Sequence, residues 1–297
     1  MKILSFGSLN IDRVYQMAEF VKAGETVAST GFSMVAGGKG LNQSIALAKA
    51  GNQVWQAGAA GSDGGMLLET LSAAGVDTSC VKISSQPTGH AVIQVDRSGQ
   101  NCIIISGGAN LDITEEDIDA VLSRFSAGDI LVLQNEISNI PYLLRRGREL
   151  GMKVVMNPSP LTPELSGYPL ECADLLILNE IEGAFLAGET EPDRITACLR
   201  QKYPHSDILL TLGGDGSRYL GREGSFTCGI FPVNAVDTTA AGDTFCGYFL
   251  TCISRGMAVD GAMRCASAAS AIAVSRPGAS TSVPTMKEVE AFLTQQV

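Results

Sequence analysis

The sequence predicts an α/β fold, with three α/β/α layers around a mostly parallel central sheet and a small β-sheet lid. Two observations predict the layers. Short apolar runs alternate with longer segments of helical periodicity. These runs are nearly continuous in hydrophobic residues, which is typical of strands covered on both faces. The lid follows from a third observation, because several extended segments in the first third of the chain do not alternate with helices.

The alternating elements follow one another along most of the chain. The predicted strands cover residues 3–6, 54–58, 130–134, 154–157, 175–178 and 208–212. The predicted helices cover residues 66–74, 115–125, 140–150, 182–187, 258–275 and 286–293, and two more begin near Leu41 and Phe245. No repeat or linker divides this body, so we expect one domain over residues 1–297.

The lid is expected from two segments, about 12–34 and 88–106. The first is extended and interrupted near Gly24, and the second contains two extended runs joined by residues 97–100, a hairpin pattern. A small sheet set apart from the main body would serve as a lid or as an oligomer contact.

Composition excludes several classes of function. The net charge is −10, without a basic run that could follow a phosphate backbone, so nucleic acid and anionic membranes are not expected partners. No stretch approaches the roughly 18 apolar residues of a membrane span, and residues 1–6 are too short for a signal peptide. Eight cysteines without a Cys-x-x-Cys pair predict a reduced, cytoplasmic protein with mostly buried thiols. The only histidines are His90 and His205, so a general base is expected to be a carboxylate.

Residues 237–245 carry the strongest functional signal. The small residues Ala240, Ala241 and Gly242 precede an amphipathic helix, and Asp243 falls in its first turn. Unpaired N–H groups at a helix N-terminus bind anions, and small side chains let an anion approach closely. A carboxylate beside such a site suits phosphoryl transfer to a hydroxyl. The alternative is that Asp243 only stabilises the helix start.

Two further polar stretches lie near the N-terminus. Asn10 and Asp12 alternate with apolar residues just after the first strand, where ligands of α/β sheets bind; the alternative is a turn-forming pair. Residues 36–44 form a glycine-rich loop with Gly38, Lys39 and Asn42, which offers a flexible backbone, a positive charge and an amide. This loop is not a Walker A motif, and its alternative is a simple strand-to-helix turn.

More polar residues follow the later strands. Glu136 follows the strand 130–134, and Asn179 and Glu182 stand three residues apart, as a water-mediated Mg²⁺ site would need. Residues 211–216 (Thr211, Leu212, Gly213, Gly214, Asp215, Gly216) could seat a nucleotide or form a turn. They fail the dinucleotide-binding pattern, because Tyr219 replaces its third glycine. Taken singly, each of these groups is also typical of a cap or a surface residue.

Together these motifs resemble the ribokinase family of ATP-dependent sugar kinases along nearly the whole chain. The resemblance rests on residues 7–12 (Gly-Ser-Leu-Asn-Ile-Asp), 37–42 (Gly-Gly-Lys-Gly-Leu-Asn), 157–158 (Asn-Pro), 179–182 (Asn-Glu-Ile-Glu), 211–213 (Thr-Leu-Gly) and 237–245. Each motif is short, but their order along one chain is specific. Three positions depart from the family pattern: Ser44 replaces alanine, Ala240 replaces a common glycine, and Ser267 replaces a larger polar residue near the adenine.

The resemblance implies a role for each matching residue. Asn10, Asp12, Gly38, Lys39, Asn42, Glu136 and Asp243 would bind the sugar. Asp243 would also be the base, and Ala240, Ala241 and Gly242 the anion hole. Asn179, Glu182, Thr211, Gly213, Gly214, Asp215, Gly216, Gly242 and Ser267 would contact Mg-ATP. A potassium ion would be bound by Asp237, Thr239, Ala273, Arg276, Gly278 and Ser282, mostly through backbone oxygens. The lid would join a homodimer.

The resulting hypothesis is ATP-dependent phosphorylation of a primary hydroxyl on a small sugar, with the 5-hydroxyl of D-ribose as the first candidate. Within the family, fructose, 2-keto-3-deoxygluconate or a nucleoside are alternative substrates. A more distant alternative is a non-catalytic sugar- or nucleotide-binding module, since a fold alone does not prove activity.

Overall fold

The computed structural model describes residues 1–296. Its strands are β1 Ile3–Phe6, β2 Asn10–Gln16, β3 Gly31–Gly37, β4 Val54–Ala60, β5 Asp77–Ile83, β6 Gly89–Val95, β7 Asn101–Ser106, β8 Ile130–Gln134, β9 Lys153–Asn157, β10 Leu175–Asn179, β11 Asp207–Thr211, β12 Ser217–Gly221 and β13 Gly224–Cys228. Its helices are α1 Lys39–Lys49, α2 Gly65–Ala73, α3 Glu115–Leu122, α4 Ile140–Glu149, α5 Glu180–Ala187, α6 Pro192–Lys202, α7 Ala241–Ser254, α8 Val259–Val274 and α9 Met286–Thr294.

Nine strands form the central sheet in the order β13-β12-β11-β10-β9-β8-β1-β4-β5. The pairs from β11 to β5 are parallel, and β12 and β13 add an antiparallel edge. Side chains alternate between two cores: Ile130 and Val132 of β8 face one side, and Leu131 and Leu133 face the other. Helices α1, α2, α7, α8 and α9 supply the first core, and α3 to α6 supply the second. The predicted three-layer fold is confirmed.

The second sheet has four strands in the order β3-β2-β6-β7. The β6–β7 pair is the predicted hairpin, and β2 pairs with β3 antiparallel and with β6 parallel. This sheet confirms the predicted small sheet, although residues 17–30, which were expected to be largely extended, form no strand. Because β2 starts at Asn10, directly after β1, the lid and the central sheet meet where the polar residues cluster.

Several elements were not predicted from the sequence. Strand β5 alternates polar and partly buried residues at the sheet edge, and helix α6 is polar overall and buries only Ile195, Thr196 and Leu199, so its apolar face is narrow. The β12–β13 hairpin is short and bounded by glycines. Weak hydrophobic patterns at edges and on thin helix stripes explain these omissions.

Two composition-based expectations can be compared with the described residues. All eight cysteines are free thiols; Cys80, Cys246, Cys252 and Cys265 are buried, and Cys102 is exposed. The thiols are therefore less completely buried than expected. Within residues 1–296, none of the helices combines the length and the apolar character needed to span a bilayer.

Candidate active site

The N-terminus of α7 has the geometry of an anion site. Ala240, directly before the helix, adopts the left-handed conformation with φ 59° and ψ 13°. Within residues 1–296, the N–H groups of Gly242 and Asp243 donate to no backbone oxygen, whereas the N–H of Ala241 donates to the Thr238 carbonyl at 3.3 Å. The two unpaired N–H groups and the helix dipole favour an anion here. The N–H of Ala240 likewise donates to no backbone oxygen of residues 1–296, so Ala241 is the one of these two alanines whose N–H is paired.

The left-handed Ala240 gives a stability prediction. An L-residue other than glycine is disfavoured in this conformation by roughly 1 kcal/mol. Ala240→Gly should therefore raise the free energy of unfolding by about 0.5–1 kcal/mol, measured by urea denaturation. The matched control is Ala241→Gly, one residue later at a helical position, which should lower it by a similar amount. A lower stability for Ala240→Gly would contradict the prediction.

The carboxylate of Asp243 is buried, with 8 % of the residue exposed, and two amides of α1 fix it. Nδ2 of Asn42 donates to Oδ2 at 3.2 Å, and Nε2 of Gln43 donates to Oδ1 at 2.9 Å. The two helices approach closely because Gly247 of α7 faces α1; a Cβ there would lie 2.5 Å from the Ala46 Cβ. Each carboxylate oxygen keeps lone pairs for a substrate proton.

Lys39 is the first residue of α1 and lines the same cavity as Asp243. Burial alone lowers the pKa of Lys39, but the charges of Asp243, Glu136 and Glu182 outweigh burial and raise this pKa, so the ammonium group stays charged. Glu136 accepts hydrogen bonds from the Lys39 backbone N–H at 3.1 Å and from the Ser8 hydroxyl. Glu136 therefore also stabilises the start of α1.

Asn10 and Asp12 lie on β2, at the base of the lid. The Asp12 carboxylate lies against Gly37, where a Cβ would meet Oδ2 at 2.1 Å. Burial, and then the charge of Glu136, raise the pKa of Asp12 to about 6. Oδ1 of Asn10 accepts a hydrogen bond from Nδ2 of Asn110 at 2.8 Å, which leaves the Asn10 amide N–H groups as the donors available to a ligand.

Gly38 connects this polar cluster to helix α1. It has φ +96°, and a Cβ there would lie 2.8 Å from the Ser8 carbonyl oxygen and 3.0 Å from the Asn10 nitrogen. Only glycine fits both the conformation and the close approach. The predicted glycine therefore brings the start of α1 against the residues that follow β1.

A cavity of about 240 Å³ lies at the ends of β9, β10 and β11. Its lining includes the predicted residues Lys39, Asn179, Glu182, Thr211, Ala240, Ala241, Gly242 and Asp243, together with Asn157, Ser159, Ile177, Leu178 and Thr238. Asn179 and Glu182 form a capping box at the start of α5: Oδ1 of Asn179 accepts the Glu182 N–H at 2.9 Å, and the Glu182 carboxylate accepts the Asn179 N–H at 3.0 Å and its Nδ2 at 2.9 Å.

A larger cavity of about 530 Å³ adjoins the first. It is lined by Thr211, Gly213, Gly214, Gly216, Ser217, Ile230, Phe231, Pro232, Val233, Ala235, Thr238, Ala241, Gly242, Phe245, Ser267, Ser270, Ala271 and Val274. Apolar side chains dominate this lining, which suits a planar aromatic ring. Ser267 lies in the lining, and its hydroxyl donates to the Gly229 carbonyl at 2.9 Å. Asp215 is exposed and is not part of the lining.

The two cavities share Thr211, Thr238, Ala241 and Gly242. Their junction is thus the N-terminus of α7, with Asp243 on the side of the smaller cavity. A ligand whose ring fills the larger cavity would reach this junction with an anionic end. The arrangement therefore suits the transfer of a charged group to an acceptor beside Asp243.

The predicted cation residues lie where the chain before α7 meets the loop after α8. Oδ1 of Asp237 accepts the Thr239 N–H at 2.9 Å, and Oδ2 accepts the Gly278 N–H at 3.0 Å. In the described part of the chain, the carbonyl oxygens of Thr239, Arg276 and Gly278 accept no backbone hydrogen bond, whereas that of Ala273 accepts the Arg276 N–H. The hydroxyl of Ser282 donates to the Ala279 carbonyl.

Sequence reasoning missed two buried amides, Gln43 and Asn110. Asn110 binds the Leu9 backbone through both amide atoms and also donates to Asn10. Gln43 stands beside Asn42 inside a motif that the sequence analysis did single out. A polar residue on a helical face that is otherwise buried was the available signal. Residues 230–235, which supply apolar side chains to the larger cavity, showed no comparable pattern in the sequence.

An anion-binding helix N-terminus, an adjacent buried carboxylate and an apolar cavity that opens onto both define a phosphotransferase site. The model of the pfkB family carbohydrate kinases matches residues 1–286, and the chain belongs to this family.

Individual relatives are similar to this chain along nearly their whole length. Ribokinase of Haemophilus influenzae is 35 % identical, over 97 % of this chain and 96 % of that protein. Deoxyribokinase of Salmonella typhi is 31 % identical, over 99 % of each chain. The solved structure of Arabidopsis thaliana ribokinase complexed with ribose and ATP superimposes with a TM-score of 0.87 at 30 % identity, over 98 % of each chain.

Proposed function

We propose that this protein transfers the γ-phosphoryl group of ATP to the 5-hydroxyl of D-ribose, which gives D-ribose 5-phosphate and ADP. The observation that carries this proposal is the position of Asp243. Its carboxylate is held by Asn42 and Gln43 at the junction of a polar and an apolar cavity, beside the unpaired N–H groups of α7.

The reaction follows from this geometry. The sugar hydroxyl oxygen attacks the γ-phosphorus, its proton passes to the Asp243 carboxylate, and the bond to the ADP oxygen breaks. The N–H groups of Gly242 and Asp243, with the dipole of α7, stabilise the negative charge on the transferred group. The ammonium group of Lys39 adds a positive charge to the same cavity.

The sugar is assigned to the polar cluster between the lid and α1. Asn10 offers donors and Asp12 offers acceptors, and the buried side-chain oxygen of Asn42 accepts no hydrogen bond from the described part of the chain. The same cluster also contains Gly38, Lys39 and Glu136. Closure of the lid over this cluster would exclude water, which otherwise competes as the acceptor.

The nucleotide is assigned to the larger cavity, with its phosphates directed toward Gly242. Bound magnesium would neutralise the phosphate charges and orient the transferred group. Glu182 lies in the smaller cavity, and both of its carboxylate oxygens already accept hydrogen bonds from Asn179. Glu182 therefore fits a water-mediated contact with the ion better than direct ligation.

A monovalent cation such as potassium fits the loop pair at Asp237 and Gly278. Three backbone oxygens, of Thr239, Arg276 and Gly278, are free of backbone hydrogen bonds there, and Asp237 supplies a negative charge. Neutral carbonyl oxygens suit a large, weakly charged ion. Because this loop leads directly into Ala240, an ordered loop would hold the α7 N-terminus in its anion-binding form.

The proposal is tested by ADP release from Mg-ATP with a panel of acceptors, with and without potassium. The panel contains D-ribose, 2-deoxy-D-ribose, D-fructose, 2-keto-3-deoxygluconate and a nucleoside. We expect the highest kcat/KM with ribose, stimulation by potassium, and a product phosphorylated at the 5-position by ³¹P NMR. A preference for 2-deoxy-D-ribose would instead assign to this protein the deoxyribokinase activity for which the Salmonella typhi relative is named. Nucleotide binding without turnover on any acceptor would support a non-catalytic module.

The raised pKa of Asp12 gives a second prediction. An ionised Asp12 is the better acceptor for sugar hydroxyls, and with a pKa of about 6 it is mostly ionised at pH 7 and mostly protonated at pH 5. Sugar binding, measured by calorimetry without nucleotide, should therefore weaken about tenfold between pH 7 and pH 5. Asp12→Asn should bind weakly at both pH values. An unchanged Kd in the unmodified protein would contradict this role of Asp12.

We also propose a homodimer formed through the lid. The edge strands of the lid expose large apolar side chains: Phe32 and Met34 on β3, at 54 % and 53 % exposure, and Ile103, Ile104 and Ile105 on β7, at 49 %, 62 % and 56 %. Exposed apolar side chains concentrated on one small sheet favour burial against a partner. A second copy of this chain offers the same surface.

The dimer is tested by sedimentation velocity. The unmodified protein should sediment as a dimer, and Ile104→Lys should sediment as a monomer, because the new charge would be buried at the interface. Met257→Lys, a change at an exposed apolar residue away from the lid, is the control and should remain dimeric. A monomeric unmodified protein would overturn the proposal.

Finally, we propose that residues 1–297 form one kinase domain, with the lid inserted, in the cytoplasm. The eight free thiols support a reducing compartment. A single cooperative unfolding transition and recovery in the cytosolic fraction are expected. Two separate transitions or recovery in a membrane fraction would contradict this assignment.

A further inference from the structure

Gln43 contacts the Asp243 carboxylate but takes no part in the steps of the proposed reaction. It lies on α1, is 1 % exposed, and uses its full hydrogen-bonding capacity. Its Nε2 donates to Oδ1 of Asp243 at 2.9 Å and to Oδ1 of Asn157 at 3.1 Å. Its Oε1 accepts from Nε2 of Gln134 at 2.8 Å and from the thiol of Cys246 at 3.7 Å.

These contacts define how the amide is oriented. An ionised Asp243 accepts hydrogen bonds only, so the group that faces it at 2.9 Å must be the nitrogen. Burial, and then the charge of Asp243, raise the pKa of the Cys246 thiol, which therefore keeps its proton and remains a donor to Gln43. Asn157 is itself fixed, because its Nδ2 donates to the Ile177 carbonyl at 2.8 Å.

We propose that Gln43 is the positioning residue for the base of this reaction: it holds the Asp243 carboxylate at the angle needed to receive the hydroxyl proton. The inference rests on the proposed role of Asp243. Asn42 alone binds only Oδ2, so without Gln43 the carboxylate rotates about χ2. Through Asn157, which lines the same cavity, Gln43 also ties the base to the ends of the central strands, so that the base has a rigid support.

A positioning role predicts a loss in kcat without a loss in binding, because Gln43 does not line either cavity. Gln43→Leu should lower kcat on the order of 10- to 100-fold and leave both KM values within about threefold. Added to Asp243→Asn, the same change should have no further effect on kcat, because the carboxylate that it positions is already absent.

Gln43→Glu gives a second readout that a purely structural role would not produce. At pH 8 the introduced carboxylate would be ionised and would repel Asp243, whereas its protonated form would again donate a hydrogen bond to Asp243. The ratio of the kcat of Gln43→Glu to the kcat of the unmodified protein should therefore rise as the pH falls from 8 to 6. The corresponding ratio for Gln43→Leu should stay flat.

The matched control is Asn52→Leu. Nδ2 of Asn52 joins the other ends of the same two helices, with bonds to the Leu47 carbonyl and to the Thr251 hydroxyl. The Asn52→Leu variant should have a lower melting temperature, and its kcat should stay within about twofold of that of the unmodified protein. The proposal is overturned if Gln43→Leu raises KM at unchanged kcat. It is also overturned if Gln43→Leu lowers kcat in the Asp243→Asn variant by the same factor as in the unmodified protein. Failure of the proposed function looks different, because the unmodified protein would then show no sugar-dependent ADP release.

Discussion

Asp243→Asn should lower kcat for sugar phosphorylation about 1,000-fold while sugar and nucleotide binding change by less than a factor of about three. The substitution keeps the size of the side chain and removes the proton acceptor. The oxygen of the new amide can still accept the hydrogen bond from Nε2 of Gln43, so the site should keep its geometry. Steady-state kinetics and calorimetric Kd values for both ligands measure the two effects.

The control separates chemistry from helix stabilisation. Asp260 is also an acidic residue in the first turn of a long helix, α8, and it is exposed. Asp260→Asn should lower stability slightly and leave kcat unchanged, as expected for an acid at a helix start. If Asp243→Asn kept most of the activity, Asp243 would be a helix-start residue too, and the proposed mechanism would be wrong.

Gly242→Ala should reduce kcat/KM for ATP on the order of 100-fold without lowering stability. Apart from its chain neighbours and the backbone of its own helix, a Cβ on Gly242 would meet no atom of residues 1–296 within 4 Å. Because the residue lines both cavities, the methyl group would enter the space assigned to the transferred phosphoryl group. Loss of contact with one N–H donor of such a site costs about 10²–10³ in rate. In the helix itself, alanine is preferred over glycine by up to about 1 kcal/mol.

Gly65→Ala is the matched control, because Gly65 begins helix α2 and an added Cβ there would also meet nothing in the described chain within 4 Å beyond its neighbours and its own helix backbone. Both variants should melt at the same temperature as the unmodified protein or higher, and only Gly242→Ala should lose activity. Full activity of Gly242→Ala would show that the transferred group does not approach the α7 N-terminus.

The agreement between the predicted and observed elements has a simple physical cause. Central strands such as β8 are buried on both faces, so most of their residues are apolar and the sequence shows the strand directly. The exception in β8 is its last residue, Gln134, a buried amide that donates to Gln43. The lid hairpin was equally readable, since its two runs are joined by a short turn. Strand β5 and hairpin β12–β13 lie at the sheet edges, where one side is open to solvent and the hydrophobic pattern weakens.

The motifs by themselves determined which residues of this protein are candidates for chemistry, because small residues before an acid at a helix start have a local physical meaning. Only the tertiary structure decided how they act together. The sequence separates Asn42 and Gln43 from Asp243 by about 200 residues, yet the packing of α1 against α7 brings their amides onto one carboxylate. The tertiary structure also places Glu136 at the start of α1 and buries Gln43 against Asp243, whereas Glu182 caps its own helix locally and Asp215 stays exposed. Local patterns report what a residue can do; partners contributed by distant segments decide what it does, since hydrogen bonds act only over about 3 Å.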